Sequence, residues 1–220
     1  MRKIVASVNV TIDGLMAGPN NELDWHFRHW TSEMAEATGR ELAKADTILL
    51  GRVTYEAMAS YWSSTVFDLS IPREDMAIAE MMNRYKKVVF SRTLIRTGWE
   101  NARLAGGNTR REVALLKRPG PGGEKNMMVY GSRTLLSSLM QLDLVDEYLL
   151  WVHPVLLGEG SPLFGKQEAR QFRLAGSQAF SSGVILLHYE KDIKGLQPCA
   201  TGYCSGYNIH SGSPGEAPSC

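Results

Sequence analysis

Three stretches place glycine, hydroxyl or guanidinium groups where an apolar run gives way to a new spacing. Gly51-Arg52-Val53-Thr54-Tyr55 follows the run 47–50 and leads into Ala57, Met58 and Tyr61 at helical intervals. Gly131-Ser132 follows the run 127–130 and leads into Leu135, Leu136, Leu139 and Met140. Ser91-Arg92-Thr93 stands directly after the run 87–90. At a helix start the free N–H groups and the positive end of the dipole attract an anion, and glycine lets it approach the backbone closely. Arg52 and Arg92 add permanent charge, and Thr54 and Ser91 add hydroxyls. One such turn is common in α/β proteins and carries little. Three strand ends with the same chemistry point to a phosphate-bearing ligand, which open α/β sheets bind at that edge.

Other candidates are weaker. Asp24-Trp25-His26 puts a carboxylate beside a tryptophan just ahead of a helix that starts near Thr31, with Thr31 or Ser32 as cap and Glu33 in the first turn. Its plain alternative is a surface loop with one buried aromatic. His153, ahead of Pro154 at a strand end, reads as packing or sheet-edge structure. The segment from Gly160 to Lys166 has the spacing of a phosphate loop. However, Gln167 stands where a hydroxyl is needed and Pro162 interrupts the run, so it reads as a turn. Cys199, Cys204 and Cys220 lie near His210 without the spacing of a zinc finger, so no metal site and no disulfide framework is expected.

These groups need a scaffold, and the chain supplies one in order. Residues 3–10 read as a strand, Asp13-Gly14 as a turn, and Leu15, Met16 and Ala17 as a short return. Buried strands are expected at 47–50 and 87–90, a short strand at 99–104, and strands at 127–130 and 145–152. Helices are expected at 72–85, 108–117 and after Gly131, and residues 119–123 form a loop. Residues 158–162 read as turn or loop, and 170–177 with 184–190 as a hairpin. From residue 195 the composition shifts to Gly, Ser, Pro and Cys, which predicts a domain over 1–194 and a disordered tail over 195–220. With 24 basic and 23 acidic residues the chain has no charge excess to draw nucleic acid or an acidic membrane surface. A start that turns polar by Asn9, with no apolar run of about 18 residues, predicts a soluble cytoplasmic protein.

Taken together, Thr11-Ile12-Asp13-Gly14, the run Ile48 to Tyr55, Val89-Phe90-Ser91-Arg92, Tyr130-Gly131-Ser132, Leu144 to Glu147 and His153 to Gly158 resemble the bacterial RibD C-terminal domain family, a branch of the dihydrofolate reductase-like superfamily. The likeness spans residues 1–190. It implies a three-layer α/β fold with a twisted, mainly parallel sheet, helices on both faces, and the antiparallel hairpin at its C-terminal side. It also implies an NADPH site, hydride transfer to a small heterocyclic or imine-bearing substrate, and a homodimer. By the same resemblance Gly51, Arg52 and Thr54 match one phosphate turn, and Gly131, Ser132, Arg133 and Thr134 match the other. Ser91 and Arg92 match the adenosine end with its 2′-phosphate, and Met16 and Ala17 match the backbone facing the nicotinamide. Asp13, Asp24 and Glu33 remain alternatives for the carboxylate that anchors substrate or donates a proton, with Trp25 beside the substrate ring. Two further readings stand: 5-amino-6-(5-phosphoribosylamino)uracil reductase of riboflavin biosynthesis, and a nucleotide-binding sensor without turnover.

Overall fold

The computed structural model describes residues 1–65, 73–118, 125–165 and 170–192. Pro72, the loop 119–123, Gln167, the boundary at 194 and the tail with its cysteines and His210 lie outside the described residues. The first half of the chain forms β1 (Ile4–Thr11), β2 (Leu15–Ala17), α1 (Asp24–Phe27), α2 (Ser32–Leu42), β3 (Ala45–Gly51), α3 (Arg52–Thr65) and α4 (Arg73–Arg84). Then follow β4 (Lys86–Phe90), β5 (Ala102–Leu104), α5 (Thr109–Leu116), β6 (Asn126–Tyr130), α6 (Arg133–Gln141), β7 (Glu147–His153), β8 (Ser161–Pro162), β9 (Phe172–Ala179) and β10 (Ile185–Lys191).

Eight strands make one sheet in the order β5-β4-β3-β6-β1-β7-β10-β9. The first six run parallel, and β10 and β9 close the sheet antiparallel. A parallel sheet is covered on both faces, which is why its strands are continuous apolar runs rather than alternating ones. In β1, Ile4, Ala6, Val8 and Val10 enter the core under α5 and α6, with Leu136 and Leu139 at its centre. Val5 faces the other way, toward Met34 and Ala37 of α2. Ile48 and Leu50 of β3 meet α2, α3 and α4 through Leu42, Tyr55, Ile78 and Met82. The molecule is therefore three layers, as expected.

The local signals were sound where they were local. Thr31 caps α2, its Oγ1 accepting from Met34 N at 3.4 Å, and Asn108 caps α5, accepting from Arg111 N at 2.9 Å. The differences come from distant partners. Ser161–Pro162, read as turn, pairs as β8 with β2 because Leu163 N donates to Gly14 O at 3.0 Å and draws the segment onto the first hairpin. The short strand begins at Ala102 rather than at residue 99, because Tyr55 Oη accepts from the N–H groups of Gly98 and Trp99 and holds them in a turn. Asp24–Phe27, read as loop, is one helical turn, and the hairpin strands lie at Phe172–Ala179 and Ile185–Lys191 with a bulge at His188/Tyr189. Among the described residues no helix is long and apolar enough to cross a membrane.

Candidate functional site

The parallel strands end on one edge of the sheet, and strand order decides which ends are neighbours. β3 and β6 pair Leu49 with Val129, so two residues on, Gly51 and Gly131 leave the sheet side by side. The two turns touch. A Cβ built on Gly51 would overlap Ser132 Oγ and lie 3.7 Å from Leu135 Cβ, while one on Gly131 would lie 3.9 Å from Thr54 Cγ2. A side chain at position 51 would therefore require the Ser132 hydroxyl to turn away. Gly131 (φ 47°) and Ser132 (φ 54°) are both left-handed, a conformation that Ser132 holds only under strain. Ser132 is the N-cap of α6, yet its side chain makes no capping hydrogen bond. The first-turn N–H groups of α6 are thus left for another acceptor.

Ser91 emerges next to this pair, since β3 and β4 match Gly51 with Phe90. Its Oγ accepts from Thr93 N at 3.1 Å and Leu94 N at 2.9 Å, which folds the turn. Arg92 is exposed and makes no hydrogen bond or ion pair among the described residues. Arg52 is half-exposed and its Nη1 lies 2.7 Å from Glu56 Oε2, an i,i+4 pair of small energetic weight. Arg133 donates to Ser161 Oγ at 2.8 Å, tying the start of α6 to β8, and Thr134 is exposed beside it. Along the edge the order is Ser91 and Arg92, then Gly51, Arg52 and Thr54, then Gly131 and Ser132, then β1.

Beyond β6 the strands β1 and β7 run further and pair Thr11 with His153. Met16 and Ala17, both buried, return alongside in β2. Asp13 is a clip: it accepts from the Thr11 hydroxyl and from Gly158 N at 2.8 Å, and these bonds hold its carboxyl below the usual range. Glu33 accepts from Ser181 N and Oγ, both at 3.1 Å, and so docks α2 against the turn between β9 and β10. Of the three candidate carboxylates only Asp24 is uncommitted, exposed at the start of α1. Next to it Trp25 is buried, 7% exposed.

The structure also gathers residues that the chain order conceals. His153 is 1% exposed, and around it lie Trp25 at 5.1 Å, His29 at 5.8 Å and His26 at 6.1 Å between ring centroids. His153 Nε2 is 3.0 Å from Asn9 Oδ1. Burial, then the neighbouring His26 and His29, pushes the His153 imidazole down to about 4, and burial lowers His26 as well. Trp25 Nε1, His26 Nδ1 and His153 Nδ1 are buried without a hydrogen-bond partner among the described residues. Along the chain the signal is faint: three of the five histidines stand near a tryptophan or at a strand end, far apart in sequence.

Two other features do not compete. Glu147, His188 and Glu190 bring ligand-type atoms within 4.8 Å of one another, but Glu147 is paired with Lys3 and His188, and Glu190 with Arg173. A cavity of about 440 Å³ opens at the opposite, amino edge, where Arg2 is paired with Asp46, Arg103 with Glu112, and Lys87 with backbone carbonyls.

Comparison with known proteins bears on the family and the fold. The family model described as the RibD C-terminal domain matches residues 2–186. YyaP of Bacillus subtilis (strain 168), a protein described as uncharacterized, is 33% identical over 189 residues, covering 86% of this chain and 94% of its own. A Shewanella sp. PV-4 protein provisionally named for riboflavin biosynthesis superposes with a TM-score of 0.66 at 21% identity, over 86% of this chain and 99% of that one. A pyrimidine reductase-like protein from Corynebacterium diphtheriae gives 0.57 at 14% identity, over 87% and 92%. Since the family match takes in the parallel sheet, both glycine turns and the strand that carries His153, the chain belongs to the RibD C-terminal domain family, whose fold is that of the dihydrofolate reductase-like reductase domains.

Proposed function

We propose that this chain is an NADPH-dependent reductase that delivers hydride to a small heterocyclic or imine-bearing substrate. The observation that carries the reading is the contact between Gly51 and Ser132, which sets two helix starts at adjacent strand ends, one of them without a side-chain cap. Use of NADPH is typical of the family. The residues present fit such a cofactor. First-turn N–H groups of α3 and α6 would hold the diphosphate, with Thr54 and Ser132 beside them. Arg92, unpaired among the described residues, would take the phosphate that distinguishes NADPH from NADH, and Arg52 would join on releasing Glu56. Met16 and Ala17 would border the nicotinamide. When bound, the cofactor supplies the hydride. The chain's own part is to orient the substrate beside Trp25 and to hold a proton at Asp24, the one uncommitted carboxylate of the three considered.

Titration with NADPH and NADH tests the cofactor, and NADPH oxidation with pterins, folates and ribosylaminopyrimidines tests turnover. Arg92→Ala should weaken NADPH about tenfold while changing NADH little, the loss expected for one charge-assisted hydrogen bond. Failure of both cofactors to associate at millimolar concentration would remove the reading. A ribosylaminopyrimidine substrate is the second reading, favoured by the likeness to a pyrimidine reductase-like protein. Cofactor binding without turnover of any of these compounds would instead favour a nucleotide sensor. The proposal extends to a homodimer; sedimentation showing only a 24.4 kDa species would remove that part.

A further inference from the structure

The cavity of about 440 Å³ lies at the amino edge of the sheet, the far side from the Gly51 and Gly131 turns. Small-molecule sites in proteins run from about 300 to 1,000 Å³, so one compact ligand fits. Strand register builds its floor. β3 and β4 pair Thr47 with Lys86, while β4 and β5 pair Val88 with Arg103. Alternate residues of a strand share a face, so Lys86 stands on the same face as Val88, which belongs to the core under α5 and α6. Leu115 and Leu116 close the other side from the last turn of α5, and Arg118 follows just beyond it. Lys87 points into the opposite layer, where its Nζ donates to carbonyls at the end of α4.

The charge on this lining is one-sided. Among the described residues that line the cavity are arginines and lysines but no carboxylate, imidazole or thiol, which suits binding rather than reaction. Arg2 is fixed by Asp46, by Thr47 Oγ1 at 2.8 Å and by the carbonyl oxygens of Lys125 at 2.8 Å and Leu116 at 3.2 Å. Arg103 is paired with Glu112, whose second carboxylate oxygen accepts from Gly106 N at 2.9 Å. Those two carboxylates are thereby engaged. Lys86 and Arg118 are exposed, and their side chains make no hydrogen bond or ion pair among the described residues. Two positive charges are left over beside two guanidiniums already held in place, and a phosphate monoester carries about −1.5 to −2 near neutral pH. The rest of the lining is carbon: Val88 and Leu116 on the inside, and Leu115, an apolar residue 48% exposed, at the mouth. Inorganic phosphate would leave that wall unused. Nucleic acid fits less well, since the chain has 24 basic against 23 acidic residues and these cations surround a cavity rather than an open groove.

We propose that this cavity is a second ligand site, which binds a small phosphate monoester carrying an apolar ring. Lys86 and Arg118 take the phosphate beside Arg2 and Arg103, and the ring lies between Val88 and the end of α5. The site shares no residue with the cofactor edge, so it stands or falls independently of the reductase reading.

The experiment is a titration of the full chain, ¹³C-labelled at its leucine and valine methyls, with 2-naphthyl phosphate. Glycerol phosphate, 2-naphthol and inorganic phosphate are the comparisons. Naphthyl phosphate should saturably shift the methyls of Val88, Leu115 and Leu116, assigned by their loss in single substitutions, with a Kd below about 1 mM. Val10 and Leu135, at the carboxyl edge, report on the other site. Each comparison compound lacks the charge or the ring and should bind at least about tenfold more weakly. Lys86→Gln with Arg118→Gln, a change at two exposed positions, should weaken naphthyl phosphate by at least about tenfold. Shifts confined to Val10 and Leu135, no saturation below about 1 mM, or binding of glycerol phosphate as tight as that of naphthyl phosphate each overturns the proposal. An unchanged Kd in the double variant does so as well, and the first three readouts use the unmutated chain.

Discussion

His153 shows how one residue can set a pH profile for the whole chain. Its imidazole is held at about 4 in the folded state against 6.5 for a free one, by burial first and by His26 and His29 second. The unfolded chain therefore takes up a proton between pH 6.5 and pH 4 that the folded chain refuses. Stability should be fully present above pH 6.5 and fall by on the order of 3 kcal/mol as pH drops through about 4. Urea denaturation at stepped pH would check this, and His153→Asn should flatten the acid slope. Asp24 makes a different prediction. If it relays the proton, Asp24→Asn should lower turnover by about 10²-fold and remove the basic limb of the rate profile, with NADPH affinity unchanged. An unaltered pH–rate profile would move the acid elsewhere.

At the level of elements, the contact between the β3–α3 and β6–α6 turns is the joint on which binding depends. Gly51→Ala forces its methyl into Ser132. It should destabilise the fold by about 1–3 kcal/mol, read as a lower denaturation midpoint, and abolish cofactor titration. Leu139→Ala, in the fully buried stripe of α6, should cost about 2–5 kcal/mol and yet leave ligand affinity measurable in the folded fraction. The end of α4 offers a second test. Lys87, 0% exposed, donates from Nζ to Met82 O at 2.9 Å and Asn83 O at 2.7 Å, and lies 4.4 Å from the centre of the Trp99 ring. Burial lowers its ammonium from 10.5 to about 8, with Glu100 opposing. Between those values the unfolded chain keeps a proton that the folded chain has lost, so stability should rise with pH across that window, and Lys87→Met should remove the rise.

For the whole molecule the two contributions fall in separate windows, that of His153 between pH 4 and 6.5 and that of Lys87 between about 8 and 10.5. The sequence by itself determined the class of fold and which residue types stand at three strand ends. Apolar runs broken by Gly51 and Gly131, the cap at Thr31 and the helical stripe from Leu135 to Met140 are local signals, set by backbone sterics and spacing along one segment. Tertiary structure alone decided that Gly51 meets Ser132, that β8 pairs with β2, and that Asp13 and Glu33 are tied down while Asp24 is not. It also brought His153 to Trp25 and His26 and left three buried nitrogens without partners among the described residues. The reason is that such neighbours are set by strand order and register across the sheet, where residues more than a hundred apart come into contact, and no periodicity within a single segment encodes which strands will lie side by side.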